Sequence, residues 1–177
     1  MKRILPVSML ATAVVSALIS CRMNPIQNMP NTNDAFLDAV TAMNRLSSFD
    51  VEPCEKFFGI QLSVDEAKTT AYFLFYSAHP PPDGRLGIQA IELRLPRSRA
   101  TAKDGLLSIA LTPQSALAAS NVISRFGSPT SVRVPSPEAS KVYSLIYIIE
   151  VGRRPITFAI GPGPEQKIVA VTLDRTE

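Results

Sequence analysis

Ile91, Leu93 and Leu95 alternate with Glu92 and Arg94. That period of two sends the apolar set to one face of a strand and the charged set to the other, the pattern of a sheet buried on one side only. The strand extends over about 86–95, and the same kind of patterning predicts others at about 105–111, 155–161 and 167–174. Two further strands carry tyrosines four residues apart, Tyr72-Phe73-Leu74-Phe75-Tyr76 and Tyr143-Ser144-Leu145-Ile146-Tyr147. Alternate side chains share a face, so each tyrosine pair flanks a leucine, Leu74 or Leu145. Helical spacing appears between these strands. Phe36, Val40, Met43 and Ser47 fall on one stripe with Ala39 and Leu46 beside it, behind a cap at Asn33, with Asp34 in the first turn and Arg45 in the last to match the helix dipole. Two more helical patterns stop at Gly59 and Gly127, where a left-handed residue ends the turn. The second of these takes Thr112-Pro113 as its cap and first-turn proline, with Leu117, Val122, Ile123 and Phe126 as its apolar face.

The blocks Phe58-Gly59-Ile60-Gln61-Leu62-Ser63-Val64 and Phe126-Gly127-Ser128-Pro129-Thr130-Ser131-Val132 share Phe, Gly, Ser and Val at a spacing of 68 residues. In both, the order is helix, glycine, tyrosine strand and two more strands. The expectation is an α+β domain over 33–177, with helices packed on one face of an antiparallel sheet and two degenerate helix-βββ repeats at about 33–111 and 112–177.

The first twenty-one residues are of another kind. Lys2 and Arg3 precede an apolar run from Ile4 to Ile19, broken by Pro6, Ser8, Thr12 and Ser16 and closed by Leu18-Ile19-Ser20-Cys21. A stable membrane span needs roughly 20 mainly apolar residues, so this run suits a signal peptide better than a span. Leu18-Ile19-Ser20-Cys21 resembles the lipobox of bacterial lipoproteins at every position. The resemblance implies a signal peptide over 1–20, cleavage before Cys21, and lipidation of Cys21 by diacylglycerol and a further acyl chain such as palmitate. Several chains give durable attachment at about 0.8 kcal/mol per buried methylene. In Gram-negative members of that family an Asp after the cysteine favours the inner membrane; Arg22 stands there, so the expected place is the cell envelope and, in a host with two membranes, the outer membrane facing the periplasm. The competing reading is an ordinary secretory signal with a chance cysteine. Residues 22–32 are polar, with Pro25, Pro30 and three Asn, and are expected to form a flexible tether.

Charge narrows the partners. The formal charge is +3, but losing Lys2 and Arg3 from eighteen basic residues leaves sixteen against fifteen acidic ones. Nucleic acid is not an expected partner, because phosphate binding asks for a concentrated basic face. The densest basic cluster, Arg94, Arg97, Arg99 and Lys103, straddles an expected turn. With 46% hydrophobic residues the mature chain can bury a core without metal or disulfide support. Once Cys21 is lipidated Cys54 has no partner in the chain, so it is a packed structural residue, a reactive thiol or half of an intermolecular disulfide. The adjacent Phe57 and Phe58 favour packing.

Ser124-Arg125-Phe126-Gly127-Ser128-Pro129, the strand Tyr143–Tyr147 and the closing strand from Lys167 to Leu173 resemble the small lipoprotein of the outer-membrane β-barrel assembly machinery. That family pairs a valine-rich helix ending in a Gly-x-Pro turn with three strands, and Val122, Gly127 and Pro129 match it. The resemblance covers about a third of the chain. The tandem arrangement is similar in topology to β-lactamase inhibitory proteins, whose two α/β units form a concave sheet that grips an enzyme; no inhibitory loop of that family matches residue by residue.

Chemistry is sparse. His79 is the single histidine, in a loop His79-Pro80-Pro81-Pro82-Asp83-Gly84-Arg85 whose prolines are stiff. A Cys54–His79 pair has no local signature, and one histidine with one thiol falls short of a zinc ligand set. Gly161-Pro162-Gly163-Pro164 lacks the amide donors of a phosphate cradle and is expected to be a turn. Gly-x-Ser-x-Gly and Ser-x-x-Lys do not occur. Glu150 and Asp174 stand at strand ends without a second acid to form a glycosidase pair. No cofactor, metal or catalytic residue is expected. Binding is the remaining expectation. His79, Asp83 and Arg85 on the stiff loop offer an anchor at low ordering cost, Tyr72, Tyr76, Tyr143 and Tyr147 offer an aromatic surface, and Arg153 and Arg154 at a hairpin turn offer rim contacts. The sequence therefore points to a non-catalytic envelope lipoprotein that binds another protein, either to neutralise an envelope-acting enzyme or toxin or as an accessory of an outer-membrane assembly. An envelope enzyme is the third class.

Overall fold

The computed structural model describes residues 32–80, 86–136, 142–152 and 154–176; the expected signal, Cys21 and the tether as far as Asn31 lie outside the described residues. Helix α1 (Thr32–Arg45) buries Phe36, Leu37, Ala39, Val40 and Met43, and carries Asp34 and Arg45 at the ends the dipole favours. Asn33 is not its cap. It sits inside the first turn and its side-chain amide donates to the Ala116 carbonyl at 3.3 Å. Ser47, placed on the apolar stripe by spacing, falls beyond the helix and is exposed. Helix α2 (Val51–Phe58) starts at Asp50, whose carboxylate accepts the Val51 amide, and stops at Gly59. Gly59 is left-handed, with φ of 65°, and its amide donates to the Glu55 carbonyl at 2.8 Å, so a side chain there would be strained. The Glu55 carboxylate then accepts the Leu62 amide at 2.8 Å and leads the chain into strand β1 (Ser63–Val64).

Helix α3 (Ala119–Phe126) begins later than Thr112-Pro113 implied. Thr112 spends its amide on the Gly87 carbonyl and its own carbonyl on the Ser115 amide, forming a turn instead of a cap. The chain is then tied down by Ile168 donating to the Leu117 carbonyl and Ala119 to the Gln166 carbonyl, each within 2.9 Å. Only after that does the helix start, with the Asn121 side chain accepting the Ala118 amide.

The remaining strands are β2 (Phe73–Ala78), β3 (Ile88–Pro96), β4 (Leu106–Leu111), β5 (Ser131–Arg133), β6 (Leu145–Val151), β7 (Arg154–Ile160) and β8 (Ile168–Asp174). They form one eight-stranded antiparallel sheet in the order β1-β2-β3-β4-β8-β7-β6-β5. The α+β class agrees with the sequence. Each half, however, has four strands and not three. Strands β1 and β5 are two and three residues long, too short to leave a period in the sequence.

Register carries one apolar set straight across the sheet: Ile91 faces Ile109, Ile109 faces Val171, and Val171 faces Phe158. Leu93, Leu107 and Leu173 make the next row. These residues join Phe36, Met43, Phe58, Leu117 and Val122 in one buried cluster, each full burial contributing about 1.5–3 kcal/mol. Phe36 packs on Phe58 with ring centres 6.3 Å apart, and Phe126 on Phe158 at 5.9 Å. Phe158→Ala is therefore expected to lower unfolding free energy by about 3–5 kcal/mol in urea titration. Thr157→Ala, one residue away on the opposite face, is expected to cost about 1 kcal/mol or less; equal losses would refute the assigned alternation.

Candidate functional site

The strand positions between the core residues form a second face. One row crosses all eight strands: Ser63, Ser77, Glu92, Ser108, Thr172, Thr157, Ile148 and Ser131. The row beside it runs Ala90, Ala110, Ala170, Ala159, Ile146 and Arg133. Small side chains thus occupy the middle of the sheet, and larger ones flank them on β2, β3 and β6. The result is a shallow trough whose deepest part, about 310 Å³, is lined by Ala90, Glu92, Arg94, Leu106, Ser108, Ala110 and Thr172. Phe75 and Arg94 stand on one flank, Ile146 and Ile148 on the other, and all four are half-buried. Alanine, serine and threonine have few rotamers to lose, so a partner seated on this floor orders little of it.

The Phe75 flank is charged and held in place. Glu92 accepts from Lys68 Nζ at 2.7 Å through one carboxylate oxygen and from Arg94 Nε at 2.9 Å through the other, with Arg94 Nη2 in ion-pair contact at 2.9 Å. The Arg94 guanidinium lies 5.0 Å over the Phe75 ring. Desolvation alone would raise the Glu92 carboxyl, but the hydrogen bonds from Lys68 and Arg94 outweigh it and hold the group below the usual range. The Glu92 hydrogen bond correspondingly lifts Lys68.

The sequence-predicted residues do not gather on this face. Tyr76 lies opposite Val64 and Leu93, and Tyr147 opposite Val132 and Phe158; both are half-buried against the core. Tyr72 precedes β2, 57% exposed, and its carbonyl accepts the Arg97 amide. Tyr143 precedes β6 and is half-buried. The four tyrosines therefore make no single exposed patch. His79 is exposed just past β2, beside a hollow of about 410 Å³ that Gly59, Ile60, Ser63 and Pro80 also line. Asp83, Arg85 and Arg153 lie outside the described residues. Arg154 is not a free rim contact, because its guanidinium donates to the Leu46 and Ser47 carbonyls past the end of α1. Glu150 and Asp174 are exposed, and Asp174 accepts from the Thr176 amide and hydroxyl. The basic residues Arg97, Arg99 and Lys103 do occupy the connection between β3 and β4.

Among the described residues no three His, Cys, Asp or Glu side chains converge as metal ligands would, and no helix is long and apolar enough to cross a membrane. Cys54 is buried at 1% exposure, and desolvation, with the negative charge of Glu55 second, pushes its thiol up to about 12. A protonated, shielded thiol is a poor nucleophile. In a Cys21→Ser variant, where Cys54 is the remaining thiol, Ellman's reagent at pH 8 is expected to release no colour from native protein and one equivalent in denaturant. Full reaction of the native protein would show an accessible Cys54.

The trough was missed in the sequence because its rows are ordinary residues from eight separated strands; only pairing assembles them. Its one legible trace is the alternation of Glu92 and Arg94 with the apolar set. Comparison with family models, with curated proteins and with solved structures finds no match to this chain.

Proposed function

We propose that this chain is a non-catalytic cell-envelope lipoprotein that binds and neutralises an envelope-acting enzyme or toxin, with the second face of the sheet as its docking surface. The observation that carries the reading is the trough of Ala, Ser and Thr between half-buried Phe75, Arg94, Ile146 and Ile148. Interfaces favour aromatic and arginine anchors around a centre that excludes water, and a smooth floor beside an Arg94–Phe75 stack supplies both. On this reading α1, α2 and α3 lie over the core face and leave the trough open, the arrangement that the resemblance to β-lactamase inhibitory proteins implies.

Duplication of a helix-and-strand unit is part of the proposal and is supported by register. Val64, Tyr76, Leu93 and Leu107 face one another in series, and so do Val132, Tyr147, Phe158 and Val171. Matching these series makes Leu107 equivalent to Val171, and the central ladder then pairs each with the other's second neighbour: Leu107 with Leu173, Ile109 with Val171. That is the pattern of two equivalent halves related by a dyad through Ser108 and Thr172.

Anchoring through Cys21 raises the effective concentration of an inhibitor where its target acts. Radiolabelled palmitate is expected to enter the wild-type product and to be lost in Cys21→Ala; unlabelled wild type would overturn the anchor. For docking, Ser108→Arg places a long cation on the trough floor without touching the core. It is expected to weaken a purified one-to-one complex with the toxin or hydrolase by about 30-fold or more in calorimetry, while urea stability changes by about 1 kcal/mol or less. Undiminished affinity would remove the trough from the interface. Recovery of an outer-membrane assembly complex in its place would favour the accessory role.

A further inference from the structure

Helix α1 is about 20 Å long over its fourteen residues. It begins beside Ala116 and ends where β6 turns into β7, with the Asn44 side chain donating to the carbonyls of Val151 and Arg154. At that far end is a notch of about 450 Å³ lined by Ser47, Ser48, Lys103, Asp104, Arg154, Asp174 and Arg175.

We propose that this notch is a carboxylate-binding site. Its two arginines are fixed in place before any ligand arrives. Arg175 is 5% exposed, stacks 3.9 Å from the centre of the Phe49 ring, and donates to Asp104 at 3.2 Å and to the Met43 and Asn44 carbonyls at 2.8 and 2.9 Å. Its Nε is buried and has no hydrogen-bond acceptor among the described residues. Arg154 uses two of the five N–H groups of its guanidinium on the carbonyls of Leu46 and Ser47. Lys103 is exposed with no acid partner among the described residues, and the hydroxyls of Ser47 and Ser48 are likewise uncommitted there.

The charges select the ligand. Asp104 already accepts from Arg175 and from the amides of Phe49 and Gly105, and Asp174 is exposed. Among the described lining residues, three cations against two carboxylates leave one positive charge, which suits a single carboxylate better than a phosphate dianion beside Asp174. The carboxylate comes from a peptide carboxy-terminus or from an acidic side chain, and the two sources are separable by probe.

The test is a titration of the ¹⁵N-labelled full-length protein in detergent, following the arginine Nε–H signals and the amides of Ser47 and Ser48. N-acetylglycine stands for a chain terminus, propionate for an acidic side chain, and N-acetylglycinamide and inorganic phosphate are controls. Saturable shifts at Arg154, Ser47 and Ser48 are expected with one or both carboxylates, the tighter one naming the source, and none with the amide. Lys103→Ala is expected to weaken the binding about tenfold, and Ser108→Arg, which addresses the trough, to leave it unchanged. Absence of saturable shifts with both carboxylates, equal shifts with the amide, phosphate binding as tightly, or indifference to Lys103→Ala would each overturn the proposal.

Discussion

The pairing of β4 with β8 is the constraint on which the rest of this molecule depends. Each half of the chain is an antiparallel meander, and each would end in an uncovered, apolar-rich strand without the other. The ladder from Leu106–Asp174 to Ala110–Ala170 joins those two strands and aligns their buried rows, Leu107 with Leu173 and Ile109 with Val171. A slip of one residue in β8 would send Thr172 into the core and Leu173 into water. The same register that builds the core therefore assembles the second face, because alternation gives no freedom to set one without the other.

The two halves are alike in strand order and unlike in what they present. Strand β3 carries Glu92 and Arg94 where β7 carries Thr157 and Ala159, so the charged network with Lys68 exists on one side of the trough only. The β6 side offers Ile146 and Ile148 instead. Helical cover differs too, with α1 and α2 preceding the first four strands and α3 alone preceding the last four. The frame thus repeats its strand order while a polar flank and an apolar flank stand a few strands apart on the second face.

Most of the frame was legible in the sequence. Alternation located β3, β4, β7 and β8 to within a residue or two, the glycines at 59 and 127 marked real helix ends, and the Gly161–Pro164 segment is the turn between β7 and β8. Errors arose where a local signal met a non-local partner. Thr112-Pro113 has the composition of a helix cap, but the Gly87 carbonyl claims the Thr112 amide and the chain turns away. The tyrosine spacing was real, yet β2 starts after Tyr72 and β6 after Tyr143, so each pair straddles a strand boundary and faces two environments. Arg154 has the look of a solvated turn residue, and its bonds to Leu46 and Ser47 span more than a hundred residues. No window of sequence contains such information.

The longest of these links ties the two ends of the domain together. The last carbonyls of a helix carry partial negative charge and lack partners within the helix. In α1, the Met43 and Asn44 carbonyls accept from Arg175, 132 and 131 residues away and just past the final strand, and Met43 accepts from the Leu46 amide as well. Desolvation pulls the Arg175 guanidinium down, and the hydrogen bond to Asp104 opposes that, so the charge is kept in a nearly dry site by its partners and by the Phe49 ring beneath it. Burying an arginine without those partners would be costly, and leaving the carbonyls bare would be costly as well. The carboxyl end of α1 and the residue just past the last strand therefore stabilise each other: the register that pairs β8 with β4 also sets Arg175 beneath the Met43 and Asn44 carbonyls.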